Sequence, residues 1–140
     1  CTELPLLCGC HGTVLKNPPG ISDTGYKDTI DLYQLLEEEL KNDFAAVQIG
    51  WLNHRLGGDW TTPTAEMSAR SFLDQGYQNL IYFPFGFLAD NAESLLEGRT
   101  VMNNLGIENY YHIPCINDDP DFIRFLAGLL CKKADRALHD

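Results

Sequence analysis

Four short apolar runs alternate with stretches of helical periodicity, and that alternation constrains the fold more than any other feature. Residues 4–12 (LPLLCGCHG), 45–52 (AAVQIGWL), 79–88 (NLIYFPFGFL) and 109–115 (NYYHIPC) read as strands. They are apolar almost throughout, as strands buried on both faces of a parallel sheet must be. A helix is predicted over 26–41, with Ile30, Leu32, Leu35, Leu36 and Leu40 on one side. A second is expected to start at Thr62-Pro63, a cap residue followed by proline at the first helical position. Its inner side is Ala65, Ala69, Phe72 and Leu73, and Gly76 stops it. A third runs from about Asp90 to Leu105, with Leu95, Leu96, Met102 and Leu105 inward. The last is capped by Asp118 or Asp119, with Pro120 just inside; Phe122, Phe125, Leu126, Leu129, Leu130 and Leu138 form its packing stripe. The expectation is one α/β domain over 1–140. It is a doubly wound, three-layer fold, with a parallel sheet of about four strands flanked by helices.

Composition narrows the function classes. With 140 residues, 44% of them hydrophobic, the chain can bury a core without disulfides or a structural metal. A net charge of -10 argues against nucleic acid as partner, which calls for a basic face. It argues equally against an anionic membrane surface as the main partner. The cysteines stand at 1, 8, 10, 115 and 131, an odd count with no CxxC pair. Reduced thiols and a cytoplasmic setting are expected, with room for weak peripheral membrane contact. No iron–sulfur cluster is predicted. The first residue is Cys1, so the chain reads as part of a longer protein. There is no GxGxxG or P-loop to support nucleotide binding.

In a doubly wound sheet the ligand site lies beyond the carboxyl ends of the strands. That rule selects His11 after the first strand, then Asn53, His54 and Arg55 after the second. It selects Phe85, Phe87, Asp90, Asn91 and Glu93 after the third, and Cys115, Asn117, Asp118 and Asp119 after the fourth. Histidine titrates near neutral pH and can accept a proton or bind a divalent metal. A capping histidine bonded to backbone is the bland alternative for His11. Glu93 falls in the first turn of the third helix, where the dipole favours a carboxylate, so capping alone would explain it too. Glu97 lies one turn on, and the two carboxylates form either a hard, oxygen-rich path for a hydrated cation or a solvated face. His54 is expected in a polar loop, His112 in core or edge packing, and His139 at the end of the chain.

The residues then resemble a family. LPLLCGCHGTVL is similar to the ferrochelatase strand that ends in that family's catalytic histidine. Tyr26, Trp60 and Pro63 fall where the family has a Tyr, a Trp and a Pro. FPFGFLADNAESL resembles the signature P-x-x-F-x-x-D-H-x-E-T-L, with Pro84, Phe87, Asp90, Glu93 and Leu95 in register. PCINDDPDFIRFLAGLL is similar to the family's closing segment. The resemblance covers Leu4 to about Leu130 and is to the C-terminal half of a two-domain enzyme.

It implies insertion of ferrous iron, as substrate, into protoporphyrin IX or coproporphyrin III, with no organic cofactor. The porphyrin would lie in a cleft shared with an N-terminal half-domain, so this chain alone would be inactive. His11 and Glu93 would be catalytic. His11, Glu93 and Glu97 would handle the metal, and Trp60, Phe85, Phe87, Asn91 and Asn53 would meet the porphyrin. Three departures stand out. Asn91 replaces a histidine and cannot shuttle a proton. Leu52-Asn53 replaces Gln-Ser. The stretch from Glu93 to Gly106 is shorter than the family's by about one helical turn. Two other readings stay open: a non-catalytic porphyrin- or haem-binding module, and a short homodimeric chelatase of the sirohydrochlorin type.

Overall fold

The computed structural model describes residues 2–16, 23–53, 59–107 and 109–139, the side chains of 138 and 139 excepted. His54 and Arg55 lie outside the described residues, as does the ring of His139. The strands are β1 (Leu6–His11), β2 (Val47–Leu52), β3 (Asn79–Phe83) and β4 (Asn109–His112). They form one parallel sheet in the order β2-β1-β3-β4. The helices are α1 (Tyr26–Leu40), α2 (Ala65–Asp74), α3 (Gly98–Asn104) and α4 (Pro120–His139), and a π-helical turn, Glu93–Glu97, leads into α3. The expected α/β architecture with four parallel strands is what forms.

Both faces of β1 are covered, which explains its unbroken apolar run. Leu6, Cys8 and Cys10 point to α1 and pack with Tyr33, Ile49, Trp51 and Ile81. Leu7 points the other way and joins Phe72, Ala69, Leu80, Tyr82, Met102 and Ile107 under α2 and α3. Burial holds the Cys8 thiol up at about 12, with Glu37 adding to it, so this cysteine is a small core hydrophobe. The outer edge of β2 is blunted by side chains. Ser68 Oγ donates to the Ile49 carbonyl at 2.6 Å, and the Tyr33 hydroxyl lies 3.2 Å from the Val47 carbonyl.

Several boundaries differ from the sequence reading. The second helix starts at Ala65, not at Pro63. Thr64 caps it by accepting from the Met67 N–H, while Pro63 is drawn alongside β2, its carbonyl accepting from Trp51 N. β3 ends at Phe83 because Pro84 has no N–H to continue the ladder, and Phe85 turns back onto the Phe83 carbonyl. Leu96, expected inward, is 61% exposed, whereas Ser94 is fully buried. The extra residue of the π-turn rotates the helical face and exchanges the two. α4 has the predicted start, with Asp119 Oδ1 accepting from Asp121 N and Phe122 N. Its stripe, however, does not pack down: Phe125, Leu129 and Leu130 are exposed.

Candidate functional site

The strand order reverses between β1 and β3. The chain leaves β1 toward β2 on one side and leaves β3 toward β4 on the other. A crevice opens at such a switch point, beyond the carboxyl ends. His11 is the last residue of β1, and the segment leaving β3 delivers Glu93 opposite it.

His11 Nδ1 lies 2.8 Å from Glu93 Oε1 and 2.9 Å from Oε2. An ionised carboxylate only accepts, so the proton must sit on Nδ1. That assignment makes Nε2 the basic nitrogen of the neutral ring and fixes the ring's orientation. The histidine side chain is 57% exposed and the glutamate 15%, so the carboxylate backs the imidazole and the imidazole faces outward.

Glu93 is held by the turn that carries it. Asn91 Oδ1 accepts from Glu93 N at 2.9 Å and Ser94 N at 3.1 Å, capping the π-turn. Asn91 Nδ2 donates to the Ala89 carbonyl. Below this cap, Asp90 ties the segment leaving β3 to the one leaving β4. Its carboxylate accepts from Cys115 N at 3.0 Å and Asn117 Nδ2 at 2.8 Å, while Asn117 Oδ1 accepts from Asp90 N at 2.8 Å. These hydrogen bonds, the Cys115 N–H first, hold the Asp90 carboxyl below its usual range. Asn117 makes the exchange from a left-handed backbone, φ 53°. Sequence reasoning found Asp90 and Asn117 as strand-end residues but not this reciprocal clamp.

Asn53 is also built into the frame. Its Nδ2 donates to the Thr61 carbonyl at 2.9 Å, and its Oδ1 accepts from the buried Thr61 hydroxyl. Gly12 permits this approach, since a Cβ there would lie 1.9 Å from Asn53 Oδ1. Trp60 bridges to Val14 beside it and is half-buried. Phe85 packs partly into the α1-side core, 6.1 Å from the Tyr33 ring. With Phe87, Leu32 and Leu88 it lines a cavity of about 230 Å³ beside α1. Glu97 is half-buried at the end of the π-turn. Among the described residues, no three His, Cys, Asp or Glu side chains converge as a ready-made cation cage. The geometry is a His–carboxylate pair on a rigid frame, able to take up a proton at Nε2 or offer that nitrogen to a passing metal.

A ferrochelatase family model matches residues 4–134. The chain belongs to the ferrochelatase family. The curated relatives agree. It is 36% identical over 78 residues to a ferrochelatase of Rippkaea orientalis, covering 53% of this chain and 20% of that protein. It is 39% identical over 74 residues to a ferrochelatase of Neisseria gonorrhoeae, covering 50% and 22%. It is 33% identical over 96 residues to a coproporphyrin III ferrochelatase of Bacillus pumilus, covering 64% and 30%. The matched stretches thus span 20–30% of the length of these ferrochelatases.

Proposed function

We propose that this chain is the catalytic-histidine half of a ferrochelatase, a lyase-class metal chelatase that inserts ferrous iron into a free-base porphyrin in haem biosynthesis. The observation that carries this reading is the His11 Nδ1–Glu93 contact at the switch point of the sheet, 2.8 Å long. The reaction asks for such a pair. Two pyrrole nitrogens each give up a proton as the porphyrin takes the dication. His11 Nε2 accepts the two protons in turn, passing the first to solvent before taking the second, and the Glu93 carboxylate against Nδ1 stabilises the imidazolium formed each time. Glu97, one turn beyond Glu93, adds a second carboxylate on the route by which hydrated iron approaches. Trp60, Phe85 and Phe87 supply apolar walls, and Asn53 and Asn91 hold the loops that frame the ring. Iron enters as substrate; no organic cofactor and no iron–sulfur cluster is assigned.

Residues 1–140 act in this reading as one half-domain, the C-terminal one, with its counterpart as partner. Two surfaces suit that counterpart. The α4 stripe exposes Phe125, Leu129 and Leu130, and the segments that follow the strands expose Leu15, Leu88, Leu96 and Ile116. Apolar surface gathered beside a site marks a binding face. The free thiols at Cys8, Cys10, Cys115 and Cys131 suit a cytoplasmic setting. Among the described residues no helix is long and apolar enough to cross a membrane. The substrate is protoporphyrin IX or coproporphyrin III; the relative from Bacillus pumilus is named for the latter.

The test is anaerobic metal insertion by the intact protein, followed by porphyrin absorbance. His11→Ala and Glu93→Ala are each expected to cost about 10²–10⁴-fold in kcat. Tight porphyrin binding with no insertion by the unmutated protein would replace this reading with a porphyrin-binding module. A stable homodimer of the 140-residue chain that inserts metal unaided would favour the short chelatase.

A further inference from the structure

Tyr82 is a large polar side chain wholly enclosed between the two backbones that carry the His11–Glu93 pair. It is 0% exposed. Its ring lies against β1 at Gly9, two residues before His11. A Cβ at Gly9 would stand 2.5 Å from the phenol oxygen and 2.6 Å from Cε2. On its other side it lies against Gly98, the residue that follows Glu97. A Cβ there would stand 2.5 Å from Cε1 and Cζ. Both glycines are needed for close approach, not for an unusual backbone angle. From behind, the His112 ring meets it edge-on, with centroids 5.1 Å apart at 75°. Among the described residues the phenol oxygen has no hydrogen-bond partner. What the residue contributes is therefore the volume of a rigid ring held on three sides.

We propose that Tyr82 is a positioning residue: a wedge, matched to Gly9 and Gly98, whose ring sets the separation of β1 from the π-turn and so the His11–Glu93 distance. The idea rests on the ferrochelatase reading for its kinetic test, but not for its structural one. Interiors are close-packed and transmit a change of volume to neighbouring backbones. Here those neighbours are the two segments that must hold an imidazole and a carboxylate at hydrogen-bond distance. Catalytic geometry tolerates little: a displacement of about 1 Å can cost about 100-fold in rate.

The experiment uses the intact protein and four variants. In Tyr82→Ala the π-turn settles toward β1, and kcat for metal insertion falls by about 10–100-fold with little change in porphyrin KM. Tyr82→Phe keeps the ring and restores the rate lost in Tyr82→Ala. Gly98→Ala, which drives a methyl group into the phenol, lowers kcat as well. Tyr82→Leu combined with Gly98→Ala recovers part of that loss, because the volume is redistributed. Alongside, the ¹⁵N resonances of the His11 ring report whether Nδ1 still holds its proton against Glu93. That signature shifts in Tyr82→Ala and Gly98→Ala and returns in Tyr82→Phe. A loss of stability alone would not move it. The proposal is overturned if Tyr82→Ala keeps both the kcat and the His11 signature. It is overturned equally if Tyr82→Phe loses as much as Tyr82→Ala, for then the hydroxyl and not the ring does the work. If the unmutated protein inserts no metal, the ferrochelatase reading fails, and the ¹⁵N comparison still decides the wedge.

Discussion

The two faces of the sheet are finished to different degrees. On the α2–α3 face, Leu7, Ala69, Phe72, Leu80, Tyr82, Met102 and Ile107 are all buried within this one chain. On the other face α1 covers β1 and β2, but Tyr111 and Ile113 on the β4 side stay exposed, as do Leu32 and Leu35 on α1 itself. α4, whose stripe could cover such a surface, turns Phe125 and Leu130 to solvent. The closed face is the one that carries Glu93 toward His11. The contrast teaches a division of labour. The geometry of the pair is secured inside this chain, and the open surface is where the proposed counterpart half-domain would bind.

Side-chain truncation should break that contrast if it is wrong. Phe72→Ala, on the closed face, is expected to cost about 3–5 kcal/mol in urea denaturation of the 140-residue chain. Phe125→Ala, on α4, should change the same chain by no more than about 0.5 kcal/mol, because the ring is already in water. If the proposed counterpart half-domain covers α4, Phe125→Ala should cost about 2–4 kcal/mol in a protein carrying both halves, since a covered ring loses its contacts. Equal costs for Phe125→Ala in both backgrounds would mean that nothing covers α4.

A smaller effect is expected at the clamp between the segments leaving β3 and β4. Asn117→Ala removes its bonds to Asp90 and also its tolerance of positive φ, and should cost about 1–3 kcal/mol. Asn117→Gly keeps the backbone freedom and loses only the bonds, so it reports the hydrogen bonding, and the difference between the two variants isolates the cost of the positive φ. Because the Asp90 carboxyl is held low, the clamp contributes fully above the ordinary carboxylate range and is lost as pH falls through the lowered value. Acid unfolding of Asn117→Gly should accordingly begin at a higher pH than in the unmutated chain.

Most of the frame could be read from the sequence, and its failures have causes. Unbroken apolar runs locate a parallel sheet whatever the tertiary detail, so His11 and Glu93 stand among the strand-end candidates, and the family resemblance singles them out from that set. The start of α2 was misplaced because Thr62-Pro63 imitates a capped helix while Thr64 holds the actual cap. On the third helix Met102 and Leu105 face inward as expected, and only Leu96 is misplaced, because a π-turn adds a residue that no 3.6-residue period can register. A stripe such as that of α4 states that a face is apolar, not which surface will cover it. Tyr82 was overlooked for a similar reason. In a strand of Leu, Ile and Phe it passes for core, and only its fit to Gly9 and Gly98, far apart in sequence, marks it out.

The smallest effect sharpens the description of the closed face itself. Both ring nitrogens of His112 are buried there with no hydrogen-bond partner among the described residues, edge-on to Tyr82. Desolvation first, and the nearby Arg99 second, hold its pKa below the ordinary histidine value, with Asp90 pulling weakly the other way. The ring is therefore neutral in the fold over a range where it would be protonated in the unfolded chain. Between the lowered value and about 6.5 the unfolded state binds the extra proton, so stability rises with pH through that window. Above it the group contributes no pH dependence. His112→Phe removes the titration and the two unsatisfied nitrogens while keeping a ring against Tyr82. Its Tm should exceed that of the unmutated chain by a few degrees at pH 5 and by less at pH 8, consistent with a difference of about 1 kcal/mol or below. An equal gain at both pH values would mean that the imidazole never titrates differently in the fold, and that the closed face is less dry around Tyr82 than its packing indicates.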